Sequence, residues 1–270
     1  MADEITGIYM KQQTQYIARQ PDNEGIIRYS EAENAIWKTL VTRQMACIQE
    51  TACDEFLAGL ALLNLPEDRV PQLGEVDAVL EAATGWKTAA VPALIGFDRF
   101  FELLSQRRFP VATFIRSRED LDYIKEPDIF HEIFGHCAML TNQHFADFTE
   151  HYGKLGVLAT PEERVYLARL YWFTVEFGLV RHRDSFRVIG GGILSSPGET
   201  RYAFSHEARI SPLVPLQVLR TPYRIDIMQP EYFLLEDLAQ LTALTKLDLM
   251  GQVHQAMDLG LLPARFPEAV

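Results

Sequence analysis

The run EPDIFHEIFGH, residues 126–136, places His131 and His136 five positions apart on one predicted helix, which extends from about Asp128 to Leu140. In a regular α-helix, residues i and i+5 point in directions that diverge by about 140°. Two imidazoles at this spacing can therefore meet one metal ion only where the helix backbone deviates. Gly135, or a first histidine on an irregular opening turn, would permit that deviation.

Two other interpretations of this run stay open. The rings of His131 and His136 can pack as core side chains among the neighbouring apolar residues, as in a non-catalytic helical protein that binds a partner. The protein can also be a zinc hydrolase with Glu132 as its base. The zinc proteases that carry HExxH have their histidines four residues apart, so the spacing of five disfavours a hydrolase.

A second informative run is YWFTVEFGL, residues 171–179, at the end of a predicted helix from Thr160 to Phe177. Glu176 is the only charged residue in these nine. A carboxylate is rarely buried in such surroundings unless it is paired or bound to metal; the alternative is a helix that emerges there into water. Two imidazoles and one carboxylate form the facial triad of non-haem Fe(II) oxygenases, which leaves coordination positions open for O2 or substrate.

The remaining pattern predicts a mainly α fold with a small β-sheet, an α+β chain with an N-terminal arm at 1–29 and a single domain at 30–270. Glycine and serine clusters at 190–192 and 195–198 predict turns around short strands. The other predicted elements are helices from Ser30 to Ile48, Asp54 to Leu63, Leu73 to Thr84, Phe97 to Gln106, Asn142 to Leu158 and Glu231 to Leu259, and strands at Lys87–Val91 and Phe109–Ile115.

Composition excludes several classes of protein. The chain has 25 basic and 37 acidic residues, a formal net charge of -12, and no basic cluster, which argues against a nucleic-acid partner. It holds no apolar stretch long enough to span a membrane. Three cysteines form an odd and sparse set, and the first residues are acidic, so we expect free thiols in a reducing, cytoplasmic compartment.

The runs at 126–136 and 171–179 resemble the two signature segments of the pterin-dependent aromatic amino acid hydroxylases. The similarity extends from about residue 30 to residue 240. The resemblance implies that family's catalytic-domain fold, with Fe(II) held by His131, His136 and Glu176. It also implies a tetrahydropterin cofactor and O2 as co-substrate, divided between pterin and substrate. The shorter matching stretches are Val70–Leu73, Thr84-Gly85, Phe114–Arg116, Leu194–Ser196, Gly198-Glu199 and Gln229-Pro230.

The same resemblance assigns side chains to substrate and cofactor. Arg116 corresponds to the arginine that holds the amino acid carboxylate, a role that suits a planar guanidinium. The further substrate-side positions are Pro127, Trp172, Phe177, Ser195 and Glu199. The pterin side corresponds to Leu94, Ile95, Phe100, which would stack on the pterin, and Glu132. The family often has a serine-rich stretch where this chain has Ile95–Asp98.

Three branches of the family hydroxylate phenylalanine, tyrosine or tryptophan. Trp172 resembles the phenylalanine and tyrosine branches, and the apolar Ile225, next to Asp226, stands where tyrosine hydroxylases carry an acidic residue. We therefore expect conversion of L-phenylalanine to L-tyrosine. The length resembles the short bacterial form without a regulatory domain or tetramerisation helix, which favours a monomer or homodimer.

Overall fold

The computed structural model describes residues 16–92, 94–122 and 124–266. Among these residues, four helices precede the first histidine: α1 (Glu31–Ile48), α2 (Asp54–Leu63), α3 (Leu73–Thr84) and α4 (Phe97–Ser105). A capping box opens α1, because Ser30 accepts from the Glu33 backbone and the Glu33 side chain accepts from Ser30. Gly85 ends α3 with a φ of 77°, as glycine allows. These predicted helices are confirmed.

Two short strands, β1 (Lys87–Val91) and β2 (Arg108–Ala112), pair in parallel, with Lys87 opposite Arg108 and Val91 opposite Ala112. Helix α4 makes the crossover between them. The prediction that β2 continues to Ile115 was wrong. Its partner β1 ends at Val91 because Pro92 follows and cannot donate a ladder hydrogen bond. The chain beyond Ala112 is therefore irregular.

The helix predicted from Asp128 to Leu140 is not a regular α-helix. One α-helical turn opens at Ile129, a π-helix covers His131–Cys137, and a 3-10 turn covers Met139–Thr141. The helix predicted from Thr160 divides in the same way, into α6 (Pro161–Tyr171) and a second π-helix at Trp172–Glu176. Between them lies the predicted helix α5 (Gln143–Leu158), which Asn142 caps.

A second sheet has four strands, β3 (Leu179–His182), β4 (Ser185–Val188), β5 (Arg209–Pro212) and β6 (Glu231–Leu235). Their order in the sheet is β4-β3-β6-β5. The prediction that helix begins at Glu231 was wrong. All five residues of β6 are buried between two parallel partners, and such a short apolar run does not distinguish a central strand from a buried helix by its pattern.

Five more helices complete the described chain. Residues 190–192 were predicted to form a turn, but a helix begins at Gly191. A turn is present at Ser195, as predicted, and another helix begins at Pro197. These helices are α7 (Gly191–Leu194), α8 (Pro197–Ala203), α9 (Pro215–Arg220), α10 (Ala239–Leu244) and α11 (Leu249–Leu259).

One continuous core of buried side chains joins the helices to both sheets. A second, smaller cluster lies apart, where Tyr16 and Ile124 pack against Ala112 and Phe114. The mainly helical fold with a small sheet is confirmed. Residues 16–30 carry no helix or strand, and residues 1–15 of the predicted arm lie outside the described chain. No helix among the described residues is both long and apolar enough to span a membrane.

Candidate metal centre and substrate site

The first π-helix explains how histidines five residues apart face the same point. A π-helix links residues i and i+5 by backbone hydrogen bonds, so these residues lie one turn apart on one face. The Nε2 atoms of His131 and His136 are 3.1 Å apart, and the ring centroids are 4.8 Å apart. The predicted deviation from a regular helix is therefore present and extends over seven residues.

The second π-helix brings the carboxylate to the histidines. Glu176 is its last residue, and the Phe177 backbone N–H donates to the Trp172 carbonyl, five residues back, at 2.8 Å. Glu176 Oε1 lies 3.3 Å from His136 Nε2, and Oε2 lies 3.6 Å from His131 Nε2. The three side chains offer one ligand atom each, all within 4.8 Å of one another.

Ser195 fixes the orientation of the His131 ring. Its hydroxyl donates to the Gly191 carbonyl at 2.8 Å and lies 2.9 Å from His131 Nδ1. Because the hydroxyl proton is used on Gly191, the serine oxygen accepts from Nδ1, which places the ring proton there. The lone pair of His131 is then on Nε2 and faces His136 and Glu176.

The glycines at 190–192 are explained by other groups that lie very close to their backbone, and not by the formation of a turn. A Cβ on Gly190 would stand 2.3 Å from the Glu176 carbonyl oxygen, and one on Gly191 would stand 2.3 Å from the His136 ring. A Cβ on Gly135 would lie 2.8 Å from the Gly191 carbonyl oxygen. Gly135 therefore serves the packing of α7 against the first π-helix, and its φ is not positive.

The electrostatics of His131 and Glu176 favour a neutral His131 ring beside a charged carboxylate. Burial lowers the pKa of His131 to about 4, although Glu176 acts in the opposite direction. Burial alone would raise the pKa of Glu176, but the contacts with His136 and His131 bring it below its usual value. A deprotonated carboxylate and a neutral ring are the forms that bind a metal ion.

Arg116 is buried and paired with Asp128. Its Nε and Nη2 each donate to an Asp128 oxygen at 2.8 Å, and its backbone N–H donates to Oδ2 at 3.0 Å. Burial opposes charge on both groups, yet their pairing raises the pKa of Arg116 and lowers that of Asp128. The carboxylate also accepts from the His131 backbone N–H at 3.0 Å, so Asp128 joins the arginine to His131.

Aromatic side chains form a wall next to Glu176. The Trp172 ring lies between Phe177 and Tyr223, with centroid distances of 4.5 Å to each. Trp172 Nε1 donates to Gln229 Oε1 at 2.9 Å. The amide of Gln229 donates in turn to the carbonyls of residues 224 and 227, so its orientation is fixed.

The other predicted site residues lie in four places. Pro127 is half-buried beside Asp128. Leu94, Ile95 and Phe100 lie just before and within α4, where the Phe100 ring meets Tyr171 edge-on at 5.2 Å. Glu132 is buried next to His131, and burial raises its pKa well above the usual value. Glu199 is turned toward β6, where it accepts from the Tyr232 hydroxyl at 2.9 Å.

Comparison with known proteins assigns this arrangement to a family. The profile described as biopterin-dependent aromatic amino acid hydroxylase matches residues 9–252. The chain belongs to this family. The resemblance seen in the two signature runs is thus confirmed, and the matched region also includes part of the predicted N-terminal arm.

Relatives within the aromatic amino acid hydroxylases cover nearly the whole chain. A phenylalanine-4-hydroxylase of Pseudomonas aeruginosa is 58% identical over 254 residues, which cover 94% of this chain and 97% of that protein. The apo structure of a cold-active phenylalanine hydroxylase from Colwellia psychrerythraea 34H has a TM-score of 0.91 at 58% identity, over 93% of this chain and 98% of that one. A Chromobacterium violaceum phenylalanine hydroxylase with bound Fe(III) has a TM-score of 0.86 at 42% identity, over 93% and 91% of the two chains.

Two residues of this hydroxylase site were not predicted from the sequence. Asp128 was interpreted only as the start of a predicted helix. An aspartate at the N-cap commonly accepts from the backbone N–H three residues later, and this signal could have indicated its bond to His131. Gln229 was noted only as part of a matching dipeptide. Its contact with Trp172 spans 57 residues, and no local pattern predicts it.

Proposed function

We propose that the chain is a phenylalanine 4-monooxygenase, which uses Fe(II), a tetrahydropterin and O2 to convert L-phenylalanine to L-tyrosine. The convergence of His131, His136 and Glu176 within 4.8 Å is the observation that carries this proposal. Membership of the biopterin-dependent family supports it, as do the phenylalanine hydroxylases to which the chain is similar.

The donor set fits iron. Two imidazole nitrogens and one carboxylate leave part of the coordination sphere open, as in other non-haem Fe(II) sites. The Ser195 hydroxyl holds the proton of His131 on Nδ1, so Nε2 is free to bind. His131, His136 and Glu176 would hold the ion, and iron and pterin when bound supply the activation of O2.

Arg116 would bind the substrate carboxylate. Asp128 engages two of the five N–H donors of the guanidinium, and the others can bind a second carboxylate. The bond from Asp128 to the His131 backbone ties this binding position to the metal site. Pro127, Trp172, Phe177 and Ser195 would line the space between them and keep water from the reacting ring.

The pterin would bind against Phe100, with Leu94, Ile95 and Glu132 nearby. Phe100 is half-buried and held edge-on by Tyr171, which precedes Trp172. This contact links the proposed pterin side to the second π-helix. A ring fixed in this way is suited to stack on a flat heterocycle.

Phenylalanine is favoured over tyrosine by the surroundings of Ile225. This residue is half-buried and apolar, while its acidic neighbour Asp226 is exposed and bound by both Nε and Nη2 of Arg224. With Asp226 occupied by Arg224, the site offers no carboxylate from this loop to a substrate hydroxyl. Glu199, bound to Tyr232, would act on the substrate side only indirectly, by supporting the segment that carries Ser195.

Anaerobic reconstitution tests the proposed function. Metal-free protein is loaded with Fe(II), mixed with O2 and a tetrahydropterin, and given phenylalanine, tyrosine or tryptophan in separate reactions. We expect tyrosine from phenylalanine, with much slower product formation from the other two amino acids. Iron-loaded protein that forms no tyrosine contradicts the proposal, and cleavage of a peptide or ester by zinc-loaded protein without O2 would indicate a hydrolase.

We also propose a cytoplasmic enzyme that is a monomer or homodimer. The free cysteines support the reducing compartment: Cys53 and Cys137 are buried and Cys47 is half-buried. Sedimentation equilibrium of the iron-loaded protein measures the oligomeric state. A tetramer would contradict the proposal.

A further inference from the structure

The N-terminal arm contacts the segment that carries Arg116. The Tyr16 ring stacks on Phe114, with centroids 4.6 Å apart and planes 13° from parallel. Together with Ala112 and Ile124 these rings form a small apolar cluster that is separate from the main core. Tyr16 therefore packs on a residue only two positions before Arg116.

The Tyr16 hydroxyl binds the chain immediately after Arg116. Its oxygen accepts from the Ser117 backbone N–H at 3.1 Å, and its proton is donated to the Asp120 carboxylate. The Ser117 hydroxyl donates to the same carboxylate at 3.3 Å. One tyrosine thus contacts the side chain of Phe114 before the arginine and the backbone of Ser117 after it.

Individual bonds, and not regular secondary structure, anchor the held segment. The Arg116 backbone N–H donates to Asp128 Oδ2 at 3.0 Å, and the Phe114 carbonyl accepts from the Ile129 backbone N–H at 2.8 Å. Between Ala112 and Ile129 the described residues form no helix or strand, so no ladder of backbone bonds fixes their position. Upstream of Arg116, the arm binds Thr113 through the Arg19 carbonyl at 2.6 Å and the Tyr29 hydroxyl at 3.0 Å. Downstream, Tyr16 provides the bond to Ser117.

We infer that Tyr16 is a positioning residue that holds Arg116 where its guanidinium meets the substrate carboxylate. This inference rests on the proposed function. A small displacement of a binding group costs much of its contribution, because charged hydrogen bonds depend on distance and angle. The family match begins at residue 9 and therefore includes Tyr16.

The substitution Tyr16→Phe tests the inference, because it removes the hydroxyl and keeps the ring on Phe114. The variant loses the bonds to Ser117 and Asp120, and we expect KM for L-phenylalanine to rise about fivefold, which corresponds to ~1 kcal/mol of lost binding free energy. The dissociation constant from calorimetry should rise by the same factor. We expect kcat and the KM for the tetrahydropterin to stay unchanged.

The control is Tyr29→Phe, which also removes one tyrosine hydroxyl bound to this segment, but on the upstream side at Thr113. It should leave KM for phenylalanine within twofold of that of the unmodified chain. Thermal unfolding of both variants measures any general loss of stability.

Phenylalanine amide separates positioning of Arg116 from structural support. The amide has no carboxylate, so Tyr16→Phe should leave its KM unchanged. Equal rises for the amino acid and its amide would overturn the inference, and so would unchanged phenylalanine affinity in Tyr16→Phe. Tyrosine formation by the unmodified chain shows in the same assays that the proposed function holds, whichever result the variant gives.

Discussion

A single hydroxyl determines which nitrogen of His131 is available to a metal ion. The Ser195 oxygen accepts a hydrogen bond from the Nδ1–H of His131, because the hydroxyl proton of Ser195 is donated to the Gly191 carbonyl. Such outer contacts orient metal-binding histidines and commonly contribute 10- to 100-fold to metal affinity. Ser195 is thus better described as a residue that positions His131 than as one that contacts substrate alone.

Replacing Ser195 by alanine tests that role. We expect Ser195→Ala to weaken Fe(II) affinity by roughly 10- to 100-fold, because the ring loses its fixed orientation. The measurement is Fe(II) binding under anaerobic conditions. Ser196→Ala is the control, since Ser196 Oγ caps α8 by accepting from the Glu199 backbone. Equal Fe(II) affinity in the two variants would contradict the role of Ser195.

At the scale of elements, two π-helices and one row of glycines build the centre. The π-helices bring residues five apart onto one face, and the glycines at 190–192 let α7 approach both of them. Each glycine faces a different group: the Glu176 carbonyl, the His136 ring and the Phe177 ring. The position of α7 therefore affects both segments that carry the proposed metal ligands.

The substitution Gly191→Ala tests this packing. Its Cβ would stand 2.3 to 2.6 Å from three atoms of the His136 ring, so the ring or α7 must move. We expect at least a tenfold loss of Fe(II) affinity and a loss of roughly 1–3 kcal/mol in the free energy of unfolding, as in other overpacked cores. Gly74→Ala is the control, because a Cβ there meets nothing within 4 Å. Unchanged iron binding in Gly191→Ala would refute the packing role.

Local and non-local features differed in how well the sequence predicted them. Helices α1 to α6 carry their own start and stop signals, such as the boxes at Ser30 and Thr160 and the glycine at 85. Strand β6 has no such signal, because its conformation follows from its burial between β3 and β5. The first π-helix was anticipated only as an unspecified deviation at Gly135 or at the opening turn, and the second π-helix was not anticipated.

The site residues divide in the same way. Resemblance in two runs predicted the three groups that converge in space, although they lie on separate elements. The pairing of Arg116 with Asp128 was not predicted, since the bend that joins them is set by packing across the chain. A pattern of residue types does not indicate such a contact.

At the scale of the whole molecule, a buried carboxyl links α8 to the central strand of the sheet. Glu199 accepts from Tyr232 on β6, and burial raises its pKa to about 7. The folded protein therefore holds this proton more tightly than the unfolded chain does. The resulting stabilisation is present below the usual pKa of 4.5, is lost as pH rises toward 7, and changes no further above that pH.

Comparing Glu199→Gln with the unmodified chain isolates this effect, because glutamine keeps a neutral acceptor for Tyr232. Between pH 5 and pH 8, we expect the free energy of unfolding of the variant to rise relative to the unmodified chain by up to about 3 kcal/mol. Urea unfolding at several pH values measures the difference. A difference that does not vary with pH would mean that Glu199 is already charged in the folded protein at pH 5.

The most direct measurement of the metal assignment is an anomalous difference map, collected at the iron edge from crystals grown with Fe(II) under anaerobic conditions. We expect one strong peak within bonding distance of His131 Nε2, His136 Nε2 and a Glu176 oxygen, and no peak there in crystals of Glu176→Ala. A peak at other residues, or a Glu176 side chain turned away from the bound iron, would contradict the assignment.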